Sequence, residues 1–201
     1  MIIGVTGSVG SGKTTIAKLF SKHHFSRIDA DEIGHSLMKN NKEIKNKLVK
    51  NFGNEIIDGY KNISRKKLGD AVFNDYIKLK KLNSMMHPSI IEEIKNQINK
   101  IQKKCGEKTK IIIDAPLLLE TDAKKTVNKI IVVKCDKKNV MKRLSKKYPK
   151  EKIERILNMQ MPLDEKIKYA DFVIENNGNL RNLERQVIEI IKRLNNKMSK
   201  T

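Results

Sequence analysis

Residues 7–14 read GSVGSGKT and match the phosphate-binding pattern G-x-x-x-x-G-K-[ST]. Glycines let several backbone N–H groups approach a phosphate chain at once, and a helix starting behind them points its N-terminal dipole at the anion. Lys13 then supplies a cation to the β- and γ-phosphates, and the Thr14 hydroxyl ligates Mg²⁺. The motif follows an apolar run and begins a helical pattern, as a phosphate-binding loop requires. The alternative, a chance glycine-rich turn, would not require this context. The sequence therefore predicts a nucleoside triphosphate site.

Acidic residues follow two of the predicted strands. The triplet DAD at 29–31 lies at the end of the second predicted strand, and Asp114 directly follows three isoleucines. Because the carboxyl ends of parallel strands line one crevice, Asp31 is a candidate to accept the proton of an attacking hydroxyl or to order Mg²⁺ and its waters. The alternative is that Asp31 caps the next helix, and Asp29 has the same two interpretations. Asp114 is a candidate Mg²⁺ ligand through water, and Glu120 is a weaker one.

Residues 136–170 form a helical and strongly basic segment, with 11 Lys and Arg against 5 Asp and Glu. In small-molecule kinases a mobile lid brings such cations onto the transferring phosphoryl group and excludes water. The alternative for any single cation is a solvated helix face. The candidates are Arg143, Lys146, Lys147 and Arg155.

The whole chain has 201 residues and a net charge of +20, from 43 Lys and Arg against 23 Asp and Glu. Such a charge can indicate a nucleic-acid partner. Here the lysines are dispersed, and the chain has no Trp and few other aromatic residues for stacking on bases. We therefore expect no nucleic-acid partner. The absence of a guanine-reading N-K-x-D motif at a suitable place disfavours a GTPase.

Cys105 and Cys135 belong to no C-x-x-C motif, and no histidine has metal-ligand spacing with them. Two reduced thiols in a cytoplasmic protein are the preferred interpretation, with a single disulfide as the alternative. No stretch approaches the roughly 20 apolar residues that span a bilayer. The N-terminus has no basic region followed by a long apolar one, so we expect no secretory signal and no membrane partner.

Five short segments, most of them apolar, predict the strands of one sheet, at residues 2–5, 27–29, 110–114, 129–134 and 172–175. Residues 111–113 of the third and 130–133 of the fourth are continuously apolar, as in parallel strands covered by helices on both faces. Helical patterns separate the runs, the first over residues 13 to about 24 and the last over 180–194. This alternation predicts a doubly wound α/β core. In the long segment between the second and third strands, Ser64 is a candidate N-cap and Pro88 a candidate first-turn residue of another helix.

Blocks along nearly the whole chain resemble the dephospho-CoA kinase family, in the same order. They are IGVTG at 3–7, IDADEI at 28–33, DG at 58–59, SRKKLG at 64–69, VF at 72–73, LN at 82–83, HP at 87–88, DAPLLLE at 114–120, QMPLDEK at 160–166, AD at 170–171 and NNG at 176–178. The phosphate loop is generic, whereas the D-A-D, H-P, P-L-L and Q-M-P-L-x-E-K blocks together are specific.

The resemblance implies ATP-dependent phosphorylation of the ribose 3′-hydroxyl of dephospho-coenzyme A, the last step of coenzyme A synthesis. It also implies a P-loop NTPase fold, a five-stranded mostly parallel sheet flanked by helices, in a single domain of residues 1–201. The core would be about 1–30, 108–135 and 171–201, the helical acceptor-binding insertion about 31–107 and the lid about 136–170. We expect a monomer or a small homo-oligomer.

Site residues carry over by position from the same resemblance. The residues that bind ATP would be Gly10, Ser11, Gly12, Lys13, Thr14 and Thr15, with Asn177 near the adenine. Asp31 is the expected base or hydroxyl-orienting group, and Arg65 and His87 fall in the acceptor region. Mg²⁺ would lie on Thr14, with Asp31 or Asp114 as alternatives through water.

One departure from the family pattern concerns the lid. Where members usually place an arginine four residues after the Arg143 position, this chain has Lys147. Lysine keeps the cation but loses the bidentate fork. Either Lys147 suffices or a neighbour such as Arg155 replaces it. The rival functions are a P-loop kinase acting on a nucleoside or nucleoside monophosphate, and an ATPase that binds nucleic acid.

Overall fold

The computed structural model describes residues 1–72 and 75–198. These residues fall into two compact units. The first combines residues 1–28 with those from 100 onward, and the second is residues 29–99. Phe73, part of one resemblance block, and residues 199–201, the end of the predicted core, lie outside the described residues.

The first unit is built on a five-stranded sheet with the order β2-β3-β1-β4-β5. The strands are β1 Ile2–Gly7, β2 Ser26–Asp29, β3 Ile111–Asp114, β4 Lys129–Lys134 and β5 Phe172–Glu175. The pairs β1–β3, β1–β4 and β4–β5 are parallel. All five predicted strands are confirmed, and the central strand β1 runs two residues further than its apolar run. The phosphate motif therefore starts at the carboxyl end of the middle strand.

Helices connect and follow these strands. In chain order they are α1 Lys13–Ser21, α2 Ala30–Asn40, α3 Lys42–Phe52, α4 Arg65–Val72, α5 Tyr76–Cys105, α6 Lys137–Leu144, α7 Lys150–Asn158, α8 Leu163–Lys168 and α9 Leu180–Met198. Within the described residues, no helix is long and apolar enough to cross a membrane.

The core of the first unit lies between the sheet and the apolar sides of α1 and α9. Apolar residues recur on α9 at helical spacing, and those of α1 follow the same period. The buried set includes Ile3, Val5, Ile16, Phe20, Ile131, Val133, Leu183, Val187 and Leu194. Burial of this set fixes the start of α1, and with it the phosphate motif, against the sheet.

The second unit packs its helices around a separate apolar cluster. That cluster contains Ile44, Leu48 and Phe52 of α3, Leu68 and Val72 of α4, and Met86 of α5. The Ser64 hydroxyl accepts a hydrogen bond from the Lys67 amide at 3.4 Å, one residue before α4 begins. The predicted N-cap at Ser64 is confirmed.

The prediction that a helix begins near Pro88 is wrong. Pro88 lies inside α5, which begins at Tyr76. A proline in a helix interior loses a backbone hydrogen bond and costs about 3 kcal/mol. Apolar residues packed in or against the cluster occur on both sides of it, at Leu79, Leu82, Met86 and Ile90. This packing continues the helical period through the proline and outweighs the local cost.

Candidate active site

The phosphate motif forms a tight loop between β1 and α1. Gly10 has φ +74° and Gly12 has φ +94°, both in the left-handed region that favours glycine. Gly12 is the N-cap of α1, and a Cβ there would collide with the amide nitrogen of Asn176. The loop conformation therefore requires glycine at 12 for two independent reasons.

Lys13 and its neighbours lie at the amino end of α1. The Lys13 side chain is buried, and its Nζ donates to the carbonyl of Ser8 at 3.1 Å. The next residues, Thr14 and Thr15, are exposed in the first helical turn, where backbone N–H groups have no partner within the helix. No acidic residue occupies this turn. The helix dipole here is therefore positioned to attract an anion.

The amide and the hydroxyl of Ser11 differ in their hydrogen bonds. The Ser11 amide donates to the Ser8 carbonyl at 3.1 Å, which closes the loop on itself. The Ser11 hydroxyl is buried and has no hydrogen-bond partner among the described residues. Buried polar atoms without partners are uncommon in folded proteins, so this one is consistent with a bound ligand or water at the loop.

Two side chains, Arg143 and Asn176, form a brace that binds backbone carbonyls of the loop. Arg143 Nη1 donates to the carbonyls of Gly10 and Ser11, each at 3.2 Å. The Asn176 amide donates to the Ser11 carbonyl at 2.6 Å, and Arg143 Nη2 donates to the Asn176 carbonyl at 3.0 Å. The brace thus satisfies backbone carbonyls of the loop, and the predicted contact of Arg143 with the transferring phosphoryl stays a prediction.

Cys135 lies beside this brace. Its thiol donates to the Asn176 carbonyl at 3.3 Å, and Arg143 Nη1 lies 3.4 Å from the sulfur. Burial raises the pKa of the Cys135 thiol, although Arg143 acts in the opposite direction. Both Cys105 and Cys135 are free thiols.

The other predicted lid cations lie on or beside α6 and α7. Lys146 and Lys147 are exposed in the turn between these helices, and Arg155 is exposed on α7. Both helices bury apolar residues in a small cluster of their own, with Cys135, Val140, Leu144 and Ile153. The segment is helical as predicted.

Asn177 links two segments at the carboxyl end of the sheet. Its side-chain oxygen accepts from the Asp136 amide at 2.8 Å and from the Asn139 side chain at 3.2 Å. These bonds tie the loop after β5 to the start of α6. Both bonds use the Asn177 side chain and leave its backbone unaffected. The predicted contact of this loop with adenine stays a prediction.

Asp114 ends β3, directly beside β1. Its carboxylate is buried, and Arg27 Nη2 lies 3.8 Å from it. In the sheet register Asp114 is opposite Val5, two residues before the phosphate motif. An acidic side chain is therefore fixed at the strand edge that also carries the loop.

In the second unit, Asp29 is the N-cap of α2. Its Oδ1 accepts from the amides of Asp31 and Glu32, at 2.9 and 3.0 Å. The alternative interpretation of Asp31 as the cap is wrong, because Asp31 already lies in the first helical turn. Asp31 is exposed there.

Charged residues surround His35, one helical turn after Asp31. Burial and the nearby positive charge of Arg65, the first residue of α4, hold the pKa of His35 below its ordinary value. The carboxylates of Asp31, Asp29 and Glu32 oppose that shift. The predicted acceptor residue Arg65 therefore lies close enough to α2 for its charge to act on His35. His87, the other predicted acceptor residue, is half-buried on α5.

A family model described as dephospho-CoA kinase matches residues 1–182. The chain belongs to the dephospho-CoA kinase family. It is 38% identical over 193 residues to the dephospho-CoA kinase of Aquifex aeolicus, covering 96% of each chain. It is 39% identical over 189 residues to that of Fusobacterium nucleatum, covering 93% of this chain and 95% of the relative.

A solved structure of another dephospho-CoA kinase, from Campylobacter jejuni, has a similar fold. The TM-score is 0.70 at 28% identity, over 96% of both chains. The predicted P-loop NTPase fold is therefore confirmed for this member of the dephospho-CoA kinase family.

Two residues that contact the phosphate loop of this dephospho-CoA kinase family member were not predicted as site residues. Asn176 contacts the loop across 165 positions of the chain, and Gln160 accepts from the Val9 amide at 2.9 Å. Both belong to blocks that carried the family resemblance, NNG and QMPLDEK. That membership was the one available signal, because contacts between such distant positions have no local pattern.

The donor set of this family member fits a Mg²⁺ ion that arrives with a nucleotide. Within residues 1–72 and 75–198, no group of three or more His, Cys, Asp and Glu is placed to hold a metal ion. Mg²⁺ is commonly bound through one or two protein groups and the substrate phosphates, with several waters retained. The Thr14 hydroxyl and the Asp114 carboxylate, both in the first unit, are donors of that kind, and the part of Asp31 stays a prediction.

His35 gives a prediction for the pH dependence of stability. Because its folded pKa lies below its unfolded value, the unfolded chain takes up the proton first as the pH falls. We expect the free energy of unfolding to decrease below about pH 6.5, and to decrease less steeply in His35→Gln. Urea unfolding at two pH values, one on each side of that point, measures the slope. His23→Gln, at an exposed histidine after α1, is the control, and parallel slopes for wild type and His35→Gln would contradict the prediction.

Proposed function

We propose that this chain transfers the γ-phosphoryl group of ATP to the ribose 3′-hydroxyl of dephospho-coenzyme A, giving coenzyme A and ADP. The match of residues 1–182 to the dephospho-CoA kinase family is the observation that carries this proposal. The phosphate loop at the carboxyl end of β1 supports it independently, because that loop is built for a nucleoside triphosphate.

The donor nucleotide binds at the start of α1. Backbone N–H groups of residues 10–15 surround the phosphates, and Lys13 places its cation on the β- and γ-phosphates. The Ser11 hydroxyl gains its missing partner when the site is filled. Asn177 lies in the loop that approaches the adenine.

The Thr14 hydroxyl would hold Mg²⁺, with Asp31 or Asp114 acting through water. A bound ion would supply positive charge that neutralises the phosphates. The protein residues then have two tasks, which are to hold the nucleotide and to orient the acceptor.

The acceptor binds to residues of the second unit. Asp31 orients the 3′-hydroxyl and takes up its proton as the oxygen–phosphorus bond forms and the bond to ADP breaks. Because the transition state of phosphoryl transfer is loose, orientation is needed before proton removal. Arg65 and His87 bind the acceptor, and the positive charge of Arg65 suits its phosphate groups.

Cations of the basic segment complete the site. We assign Arg143 and Lys147 to the transferring phosphoryl group, with Lys146 and Arg155 as the alternatives. Arg143 already contacts two carbonyls of the phosphate loop, and Lys147 follows in the exposed turn after α6.

The organisation proposed with this function is a single domain of three parts. The core is about 1–30, 108–135 and 171–201, the acceptor-binding insertion is about 31–107, and the lid is about 136–170. We propose that the enzyme works in the cytoplasm as a monomer or small homo-oligomer, without a nucleic-acid or membrane partner.

The experiment that tests the function is ADP release measured across a panel of acceptors. Dephospho-coenzyme A should give ADP at a rate far above that of uridine, cytidine and the nucleoside monophosphates. Mass spectrometry of the product should place the new phosphate on the ribose 3′-oxygen. A preference for a nucleoside or monophosphate would favour the rival kinase, and ATP hydrolysis stimulated by nucleic acid would favour the rival ATPase.

A further inference from the structure

The connection between α7 and α8, residues 159–162, contacts the phosphate loop. The side-chain oxygen of Gln160 accepts a hydrogen bond from the Val9 amide at 2.9 Å, across 151 positions of the chain. The Val9 side chain also packs against the apolar cluster of α6 and α7. Val9 is therefore held through both its backbone and its side chain by the basic segment.

An ion pair between the buried Lys166 and the exposed Glu120 fixes the same connection to the loop after β3. Lys166 is fully buried, and its Nζ lies 2.8 Å from Glu120 Oε1. The same Glu120 oxygen accepts from the Met161 amide at 3.1 Å, so the residue next to Gln160 is attached to the ion pair.

The Pro116 carbonyl anchors this arrangement to the sheet. It accepts from Lys166 Nζ and from the Thr6 hydroxyl, both at 3.0 Å. Thr6 lies on β1, directly before the phosphate motif. The loop after β3, the α7–α8 connection and the end of β1 thus share one set of hydrogen bonds.

We propose that Gln160 is a positioning residue for the phosphate loop, and that the Glu120–Lys166 ion pair acts through Gln160 by holding the α7–α8 connection in place. The inference deepens the proposed function, on which it rests, by adding residues that shape the nucleotide site without touching the reacting atoms.

Gln160 positions the phosphate loop because it fixes the direction of the Val9 N–H group. Its bond to Gln160 fixes the first half of the loop, while the amides from Gly12 onward lie at the helix start, where phosphate binds. Without the acceptor at 160, the half-buried Val9 amide loses its partner and the loop gains other conformations. Nucleotide binding must then select the competent one, which weakens the observed affinity.

The first test replaces Gln160 with Met, which keeps the side-chain length and removes the acceptor. We expect the dissociation constant of a non-hydrolysable ATP analogue, measured with Mg²⁺ and no acceptor, to rise about tenfold. The KM of ATP should rise in parallel, with kcat and the acceptor KM within about twofold. The control is Gln102→Met, the same substitution on α5, which should leave all of these values unchanged.

The second test is a double-mutant cycle of Gln160→Met with Lys166→Met. If the ion pair acts through Gln160, the double variant should bind the analogue about as weakly as the weaker single variant. Glu120→Gln repeats the cycle with the lysine retained, for the case in which Lys166→Met does not fold. The inference is overturned if the effects of the two substitutions on the dissociation constant multiply in the double variant. An unchanged affinity in Gln160→Met also overturns it.

The binding readout needs no acceptor, so it separates this inference from the proposed function. Failure of dephospho-coenzyme A in the acceptor panel would change the substrate and leave the effect on nucleotide affinity in place.

Discussion

Replacing Asp31 with Asn should lower kcat by about 10²- to 10⁴-fold, the range of a positioned acid–base group. The amide keeps the shape of the side chain but cannot take up the proton of the acceptor hydroxyl. ATP affinity should stay within about twofold, because the phosphates bind at the loop and α1. Steady-state kinetics with dephospho-coenzyme A, together with ATP binding, measures the two quantities separately.

The structure supplies a matched control for this variant. Glu32 is the next residue on α2, exposed and in the same first turn. Both Asp31→Asn and Glu32→Gln remove one negative charge near the helix N-terminus, which costs about 0.3–1 kcal/mol of stability each. Asp29 caps the helix in both variants. Equal losses of turnover in the two variants, or an equal loss of ATP affinity and turnover in Asp31→Asn, would contradict the assignment of Asp31.

The central part of the fold was predictable because its signals are local. The continuous apolar runs of β3 and β4 required a sheet covered on both faces, and the structure has all of Ile111, Ile112 and Ile113 fully buried. The glycine pattern required a loop between a strand and a helix. Each signal spans fewer than ten residues, so no knowledge of distant contacts was needed.

Predictions failed where a local preference competes with packing. Pro88 favours a helix start, but apolar residues on both sides of it keep α5 continuous. Asp29 and Asp31 have the same capping chemistry, and only the backbone shows which of them precedes the first turn. Packing on both sides decided the outcome at Pro88, whereas the position of the first helical turn decided it at Asp29 and Asp31.

The supports of the phosphate loop could not be predicted from local patterns. Arg143, Asn176 and Gln160 reach the loop from 132 to 165 positions away along the chain. Basic charge in residues 136–170 predicted phosphate contacts for Arg143, whereas its visible bonds are to loop carbonyls. A charge count gives the sign of a side chain but not its direction.

Replacing Lys13 with Ala should give the other large effect, a loss in both ATP binding and turnover. Lys13 is buried, and its Nζ is held 3.1 Å from the Ser8 carbonyl, inside the loop that surrounds the phosphates. Its charge is therefore fixed in place before the nucleotide arrives, and little reorganisation is needed. Removing it should lower kcat by about 10²- to 10³-fold, the usual range for one fixed stabilising group, and weaken ATP binding about tenfold or more.

Lys18→Ala separates this local effect from a general loss of charge. Lys18 is on the same helix, exposed and in its last turn, so its removal changes the net charge equally without touching the loop. Circular dichroism should show both variants folded, because the apolar side of α1 is intact in each. ATP binding and kcat of Lys18→Ala should match wild type. Since the two variants differ only in where the charge was lost, a Lys13→Ala enzyme as active as Lys18→Ala would mean that the loop does not hold the triphosphate.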